Sequence, residues 1–201
     1  MRVTLLMAGL LAGVCAGSQA QTLKTVPQAG LWEQEVQVLL NGQDVMGALR
    51  LGQSAVMARL SPAQRAQLQA MLPPQEGPVG KVRQCVTAPQ AAVMADPRAA
   101  LARALKTQPR CSAQIVSVTG DQVTFKGRCD DPASFTGDYS GTYTLLDATR
   151  WTYAMQGRGV VSPTLAEQVP GGAALIGPVE MKASGQGRWL AQECGAVQPA
   201  P

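Results

Sequence analysis

Residues 114–129 have the sequence QIVSVTGDQVTFKGRC, in which two β-favouring runs flank the dipeptide Gly120-Asp121. In both runs, Val, Ile, Thr and Phe tend to alternate with polar residues, which is typical of strands with one buried face. Gly and Asp are favoured in tight turns for conformational reasons. The segment therefore predicts an antiparallel β-hairpin and indicates that β-structure dominates the second half of the chain.

The same kind of pattern predicts further strands on both sides of the hairpin. A turn at Asn41-Gly42 follows the first of them. The additional predicted strands cover residues 30–40, 81–86, 134–146, 150–160 and 179–190.

Two helical insertions are predicted between the strands, at residues 61–72 and 87–106, the second broken and restarted at Asp96-Pro97. Residues 43–59 lack a clean period and are interpreted as a loop or an irregular second strand. The predicted fold class is α+β: mainly an antiparallel β meander, as a curled sheet or a partial barrel, with two short helical insertions.

Composition excludes several kinds of chemistry. The 201 residues include 17 basic and 13 acidic side chains but no histidine. Catalytic Ser/His/Asp and Cys/His arrangements and His-containing zinc sites are therefore excluded within this chain. The basic residues are spread singly and exported proteins rarely meet nucleic acid, so no nucleic-acid partner is predicted. No amphipathic basic helix that would favour binding to an anionic membrane surface is apparent.

The N-terminus has the three parts of a secretory signal: a basic start, an apolar run over residues 3–17, and a small-x-small motif ending at Ala20. The run of about 15 residues is shorter than the roughly 20 needed to span a bilayer, so no transmembrane segment is predicted. We expect cleavage after Ala20 and export. The predicted organisation is a signal peptide at 1–20, a flexible lead at 21–29, one domain at 30–195 and a loose tail at 196–201.

Four cysteines remain after cleavage: Cys85, Cys111, Cys129 and Cys194. In an exported chain, this even number predicts two disulfides. A zinc site is disfavoured because the four are separated by 25, 17 and 64 residues rather than arriving as close pairs. Three pairings are open, and the preferred one joins Cys85 to Cys111 around a helical excursion and Cys129 to Cys194.

Several short motifs follow one another along the chain: GLWE at 30–33, LSPAQRAQ at 60–67, QCVT at 84–87, Cys111, VSVTGD at 116–121, Cys129 and Cys194. In this order they resemble the DUF3617 family of exported Gram-negative bacterial proteins. The resemblance implies a periplasmic location and the cysteine framework. It supplies no catalytic residue, because members of the family have no established biochemical activity. The chain lacks the Met-Pro-Gly-Met type of segment often found after the first strand in that family.

Carboxylates and methionines give weaker signals. Asp130 and Asp131 are adjacent, so on a strand they would point to opposite faces, and they are interpreted as part of a solvated turn. The methionines are dispersed and interpreted as core fillers rather than copper ligands, so no metal or cofactor is predicted. These methionines are Met46, Met57, Met71, Met94, Met155 and Met181.

Aromatic residues on the predicted strands form the candidate binding surface, with core packing as the alternative for each of them. They are Trp32, Tyr139, Tyr143, Trp151, Tyr153 and Trp189. The sequence therefore favours a non-enzymatic periplasmic module that binds a protein partner or an apolar small molecule. Two alternatives stay open: a hydrolase acting on cell-envelope material through Asp130, Glu33 or Glu35, and a structural or stress-protective envelope protein.

Overall fold

The structure, a computed structural model, describes residues 22–71, 81–167 and 172–199. The predicted signal peptide lies outside the described residues. Within the described ranges there are eight strands: β1 (Gly30–Leu40), β2 (Gln43–Asp44), β3 (Lys81–Val86), β4 (Cys111–Thr119), β5 (Gln122–Asp130), β6 (Phe135–Asp147), β7 (Arg150–Val161) and β8 (Pro178–Ala191). The helices are α1 (Val45–Arg59), α2 (Pro62–Met71), α3 (Ala88–Ala95), α4 (Pro97–Lys106) and α5 (Pro163–Glu167), with a 3-10 turn at Gly172–Leu175.

The strands form one open antiparallel sheet in the order β2-β1-β8-β7-β6-β5-β4, and β3 also pairs with β1. Strands β4 to β8 are neighbours in space in the same order as in the sequence, which is the arrangement of a meander. The first long strand, β1, then pairs with the last one, β8. The predicted α+β fold, a mainly antiparallel sheet with short helices, is confirmed.

The β4–β5 hairpin forms where the sequence predicts it. Gly120 has a φ of 63° in the turn, a conformation that glycine adopts without steric cost. The register shifts between Ile115 and Ser117, so that strand β4 contains a one-residue bulge. Beyond this bulge, Cys111 lies directly opposite Cys129.

The preferred disulfide pairing, Cys85 with Cys111 and Cys129 with Cys194, is wrong. Cys111 bonds to Cys129, and Cys85 bonds to Cys194. The hairpin register is the physical reason for the first bond, because it brings the Cα atoms of Cys111 and Cys129 to 3.9 Å.

Strand β1 explains the second bond. Cys85 on β3 and Ala191 on β8 both pair with Leu31, from the two sides of β1. The chain leaving β8 therefore passes close to β3, and the Cα atoms of Cys85 and Cys194 are 5.5 Å apart. Further along, Pro199 forms a single parallel bridge with Cys85, so the tail predicted to be loose contacts β3.

Residues 45–59 form a helix, so their interpretation as a loop or irregular strand is wrong. Only Gln43–Asp44 is extended, and α1 begins directly after it. The Asp44 carboxylate caps the helix by accepting a hydrogen bond from Gly47 N at 2.9 Å. Periodicity does not predict α1 because the helix has no strong apolar stripe.

The other predicted helical regions are present with the expected caps. Helix α2 begins at Pro62, a favoured first helical position. Thr87 and Gln90 form a reciprocal capping box at the start of α3. Asp96 then ends α3 and caps α4, where its carboxylate accepts a hydrogen bond from Arg98 N at 3.0 Å.

Residues 22–29, the described part of the predicted flexible lead at 21–29, connect three parts of the fold. Leu23 N donates to the Ala95 carbonyl at the end of α3 at 2.9 Å. The backbone N and Oγ1 of Thr25 donate to the Asp121 carboxylate in the β4–β5 turn at 2.8 and 2.9 Å. Gln28 N donates to the β6–β7 turn. The lead therefore crosses one end of the sheet as a hydrogen-bonded strap.

Two hydrophobic clusters pack at opposite ends of the same sheet face, which we call the inner face. On β1, for example, Trp32 belongs to one cluster and Leu40 to the other. The Trp32 cluster consists of Leu23, Trp32, Val86, Ala91, Val123, Leu145 and Trp151. The Leu175 cluster consists of Leu40, Val45, Val161, Ala166, Leu175 and Val179.

Candidate functional site

The inner face carries many glycines, several of them covered by aromatic rings. A Cβ on Gly127 would lie 2.6 Å from the Tyr139 ring, and one on Gly141 would lie 2.7 Å from the Phe125 ring. Each ring therefore lies against a glycine of a neighbouring strand, closer than any other residue would allow. The inner-face glycines are Gly127, Gly137, Gly141, Gly157, Gly159, Gly185 and Gly187.

Helix α4 lies over the part of this face where Phe125 and Tyr139 lie. Ala100, Leu101, Ala104 and Leu105 form its apolar stripe and face the sheet. Its basic residues are exposed on the opposite side: Arg98, Arg103 and Lys106. Helix α4 is thus amphipathic and basic, contrary to the sequence interpretation, and its short Ala-rich stripe explains why the pattern was missed.

Helix and sheet border a half-open cavity of about 600 Å³. This volume lies within the roughly 300–1,000 Å³ of typical small-molecule sites. Many of its apolar side chains, including Leu101, Phe125 and Met155, are only half-buried, because no protein group fills the space between them. The apolar and aromatic lining residues are Met94, Pro97, Ala100, Leu101, Ala104, Leu105, Ile115, Val123, Phe125, Phe135, Tyr139, Tyr143, Met155 and Met181, with the Cys111–Cys129 disulfide beside them.

The polar part of the lining lies close to that disulfide and consists of Gln108, Asp131 and Ser134. The loop after α4 is held beside the β5–β6 loop, since Asp130 N donates to the Arg110 carbonyl at 2.8 Å. Arg110 Nε and the Asp131 carboxylate are 4.0 Å apart. This end of the cavity has a polar rim, whereas the walls above and below it are apolar.

The six predicted aromatic residues fall into two groups. Tyr139 and Tyr143 line the cavity, and Tyr143 also packs against the Trp32 cluster. The other four pack in or against the Trp32 cluster, where the Trp151 and Tyr153 rings stack at 6.1 Å between centroids: Trp32, Trp151, Tyr153 and Trp189. Tyr139 and Tyr143 thus remain the predicted binding residues that the geometry brings into a cavity, together with Phe125 and Phe135, which the sequence interpretation did not include.

The two cavity tyrosines differ at their hydroxyl groups. Tyr139 Oη donates to the Ser112 carbonyl at 3.2 Å. Tyr143 Oη is buried and has no hydrogen-bond partner among the described residues. Burial raises the pKa of Tyr143 to about 12, so its hydroxyl keeps its proton at neutral pH.

On the outer face of the sheet, Glu33 is only 4% exposed. Its Oε1 accepts hydrogen bonds from Lys81 Nζ on β3 at 3.2 Å and from Arg188 Nε on β8 at 3.0 Å. Burial raises the pKa of Glu33, but hydrogen bonds and charges from Arg188 and Lys81 outweigh it and hold that pKa below its usual value. Glu33 therefore connects β1 to both of its long neighbours as an ionised carboxylate.

The three carboxylates of the hydrolase hypothesis are not brought together. Glu33 and Glu35 both lie on β1, where Glu35 accepts a hydrogen bond from Gln186 at 3.2 Å. Asp130 lies at the end of β5, which β6, β7 and β8 separate from β1.

Within the described ranges, no group of three or more His, Cys, Asp or Glu residues is arranged to hold a metal ion. Of the helices described, none has the length and apolarity required to cross a membrane.

The model of one protein family, described as "Protein of unknown function (DUF3617)", matches residues 27–194. The match covers most of the chain, including the four disulfide-bonded cysteines and every residue of the cavity, so the chain belongs to this family. No curated protein and no solved structure matches it.

Proposed function

We propose that the protein is an exported, disulfide-bonded module that holds an apolar small molecule in the cavity beneath α4. The supporting observation is the cavity itself: about 600 Å³ of space between an apolar helix stripe and an apolar sheet face. Water in such a space gains few hydrogen bonds, whereas an apolar ligand buries both its own surface and that of the lining.

The arrangement favours a small molecule over a protein partner. The apolar side chains face one another across the space between helix and sheet, and the outward side of α4 carries basic residues. A protein docking surface would instead present its apolar residues outward.

The hydrolase alternative has less support. A carboxylate pair acting on a glycosidic bond needs one member with a raised pKa as the general acid. The pKa of Glu33 is lowered instead, and its Oε1 is occupied by Lys81 and Arg188.

Export into the periplasm is the second part of the proposal, supported by the N-terminal pattern and the two disulfides. Intact-mass analysis of the secreted protein should give a chain that begins at Gln21, four hydrogens lighter than its reduced form. A mass that includes residues 1–20, or a chain with four free thiols, would contradict this part.

Binding can be tested with delipidated protein and the neutral fluorophore N-phenyl-1-naphthylamine, whose emission rises in apolar sites. The substitution Ala104→Trp places an indole on the cavity side of α4 and should weaken binding roughly tenfold or more, because it occupies the ligand's space.

Ala102→Trp is the matched control, since Ala102 is as exposed as Ala104 but does not line the cavity and lies two residues, about 200°, away on the same helix. If the control binds the fluorophore with wild-type affinity and Ala104→Trp binds it more weakly, the cavity is supported as the binding site. Equal affinity in all three proteins, or no binding by the wild type, would refute it.

A further inference from the structure

The polar groups of the cavity lining are gathered at one end, the polar rim formed by Gln108, Asp131 and Ser134. A ligand can reach these side chains, because Gln108 is exposed, Ser134 is half-buried and the Asp131 side chain is 29% exposed. Met94, which precedes α4, and Val123 bound the other end, where they pack in or against the Trp32 cluster. A ligand with one polar group should therefore place that group at the rim and its apolar part beneath α4.

The lining also has a distinctive charge pattern. Among the described residues that line the cavity, Asp131 is the only charged one, and neither lysine nor arginine is part of the lining. An anionic head group would lie beside the Asp131 carboxylate and lose hydration without gaining a counter-ion there. A cationic head group would gain that carboxylate as its counter-ion, and it would stay partly hydrated because the rim is accessible to solvent.

The contacts of Asp131 leave part of its carboxylate available. Its Oδ1 accepts a hydrogen bond from Ala133 N at 3.1 Å. Arg110 Nε lies 4.0 Å from the same oxygen, which is too far for a hydrogen bond, and the Arg110 side chain is 63% exposed and outside the lining. Within the described ranges, Asp131 Oδ2 has no hydrogen-bond partner, so this oxygen can accept a bond from a ligand.

The hydrogen-bonding capacity of the rim favours a ligand group that donates. The Asp131 carboxylate only accepts hydrogen bonds, whereas the Gln108 amide and the Ser134 hydroxyl can both accept and donate. An ammonium group has only donors, so it can bond to all three side chains. Its bond to the carboxylate is charge-assisted and therefore stronger than the bond that a neutral hydroxyl group would form.

We infer that the ligand is a cationic amphiphile, an apolar chain or ring system whose ammonium head group binds the Asp131 carboxylate at the polar rim. This inference rests on the proposed function and narrows it to one chemical class. The preference is local, because the chain as a whole has 17 basic against 13 acidic residues and the outward side of α4 is basic. A general attraction of cations to the protein would therefore not produce it.

The test uses three ligands with the same alkyl chain at neutral pH: decylammonium, 1-decanol and decanoate. Each competes with N-phenyl-1-naphthylamine for delipidated wild-type protein, below the concentration at which it forms micelles. We expect decylammonium to bind roughly five- to tenfold more tightly than 1-decanol, the difference between a charged and a neutral hydrogen bond. Decanoate should bind most weakly.

Two conservative variants locate the head group. Asp131→Asn keeps the shape of the side chain but removes its charge, so it should abolish the preference for decylammonium and leave the affinity for 1-decanol within about twofold. Asp130→Asn is the matched control, because Asp130 is the adjacent carboxylate, is exposed and does not line the cavity. It should keep the wild-type preference. Far-ultraviolet circular dichroism of both variants checks that they are folded.

The outcomes separate the inference from the proposal beneath it. If the wild type binds neither N-phenyl-1-naphthylamine nor 1-decanol, the proposed function fails. If it binds 1-decanol at least as tightly as decylammonium, or decanoate most tightly, apolar binding stands and the inference of a cationic head group is overturned. The inference is also overturned if Asp131→Asn retains the preference or if Asp130→Asn loses it to the same extent.

Discussion

The Trp32 cluster and the cavity lie on the same face of the same sheet, yet the first is filled with protein and the second is not. At the Trp32 end, large side chains pack together, and Trp32 itself is 0% exposed. The strap at residues 22–29 and the short side chain of Ala91 on α3 complete the packing there. Farther along the strands, glycines and half-buried rings lie beneath the Ala-rich stripe of α4.

The difference shows that one sheet can carry both a stabilising core and a binding site. Both ends of the inner face have their own buried cluster, so the fold does not depend on filling the space between them. Contacts in the Trp32 cluster should therefore contribute mainly to stability, and contacts around the cavity mainly to ligand affinity.

The largest expected difference is in how much each disulfide contributes to the free energy of unfolding. Cys85–Cys194 closes a separation of 109 residues near the packed end, and Cys111–Cys129 closes one of 18 residues at the cavity. Chain entropy predicts losses of about 5 kcal/mol for Cys85→Ala with Cys194→Ala and about 3 kcal/mol for Cys111→Ala with Cys129→Ala. Urea unfolding of the two double variants measures the difference. The reverse order would show that loop closure is not the main contribution.

Shortening one side chain in the Trp32 cluster and one in the cavity wall should have different effects on stability and on ligand affinity. Trp32→Ala removes a fully buried side chain and should cost about 3–5 kcal/mol of unfolding free energy. Met155→Ala removes a half-buried side chain from the cavity wall and should cost about 1 kcal/mol while changing the affinity for N-phenyl-1-naphthylamine. Similar losses of stability in the two variants would mean that the cavity wall is packed like the core.

The β6–β7 turn at the packed end should make stability fall in acid. The pKa of Asp147 is lowered from 3.8 to about 2, mainly by hydrogen bonds from Thr149 and then Arg150. A carboxyl with a lowered folded-state pKa stabilises the fold above its unfolded value and loses that contribution as pH falls through the folded value.

The free energy of unfolding of the wild type should therefore decline from about pH 4 towards pH 2. This decline adds to any caused by the protonation of other groups. Asp147→Asn should be less stable than the wild type at pH 6, and the two should converge near pH 2. Urea unfolding of both proteins across this pH range measures the difference in their stability. A constant difference at every pH would assign the effect of the substitution to packing rather than to charge.

The smallest expected effect is the change in stability when either cavity tyrosine is replaced by phenylalanine in the ligand-free protein. Tyr143→Phe removes a buried hydroxyl that has no partner among the described residues, and it should raise stability by about 1 kcal/mol. Tyr139→Phe removes a hydrogen bond to Ser112 and should lower stability by about 1 kcal/mol. Changes of the same sign in both variants would contradict this difference in hydrogen bonding between the two hydroxyl groups.

Local chemistry made much of the fold predictable from the sequence. Gly120-Asp121 fixed the position of the hairpin, and Thr87 and Asp96 fixed the starts of α3 and α4. The disulfide pairing was not fixed in this way. It depends on the bulge between Ile115 and Ser117, which sets the register of Cys111, and on the three-strand contact around β1.

The site was only partly predictable. Alternation placed Tyr139 and Tyr143 on a strand, but it could not show which aromatic residues are packed and which face open space. That distinction depends on the helix opposite them. A detectable signal was present in the recurrence of glycine at alternate positions, such as Gly157 and Gly159, beside the Ala- and Leu-rich sequence of α4.

Methyl NMR of methionine-labelled protein during titration with N-phenyl-1-naphthylamine tests the cavity most directly. Met94, Met155 and Met181 line it, whereas Met46 and Met57 lie on α1. We predict that the methyl signals of the first three shift together, with the same midpoint as the fluorescence, and that those of the α1 pair stay in place. Unchanged signals from the three cavity methionines, or equal shifts in all five, would contradict a ligand site beneath α4.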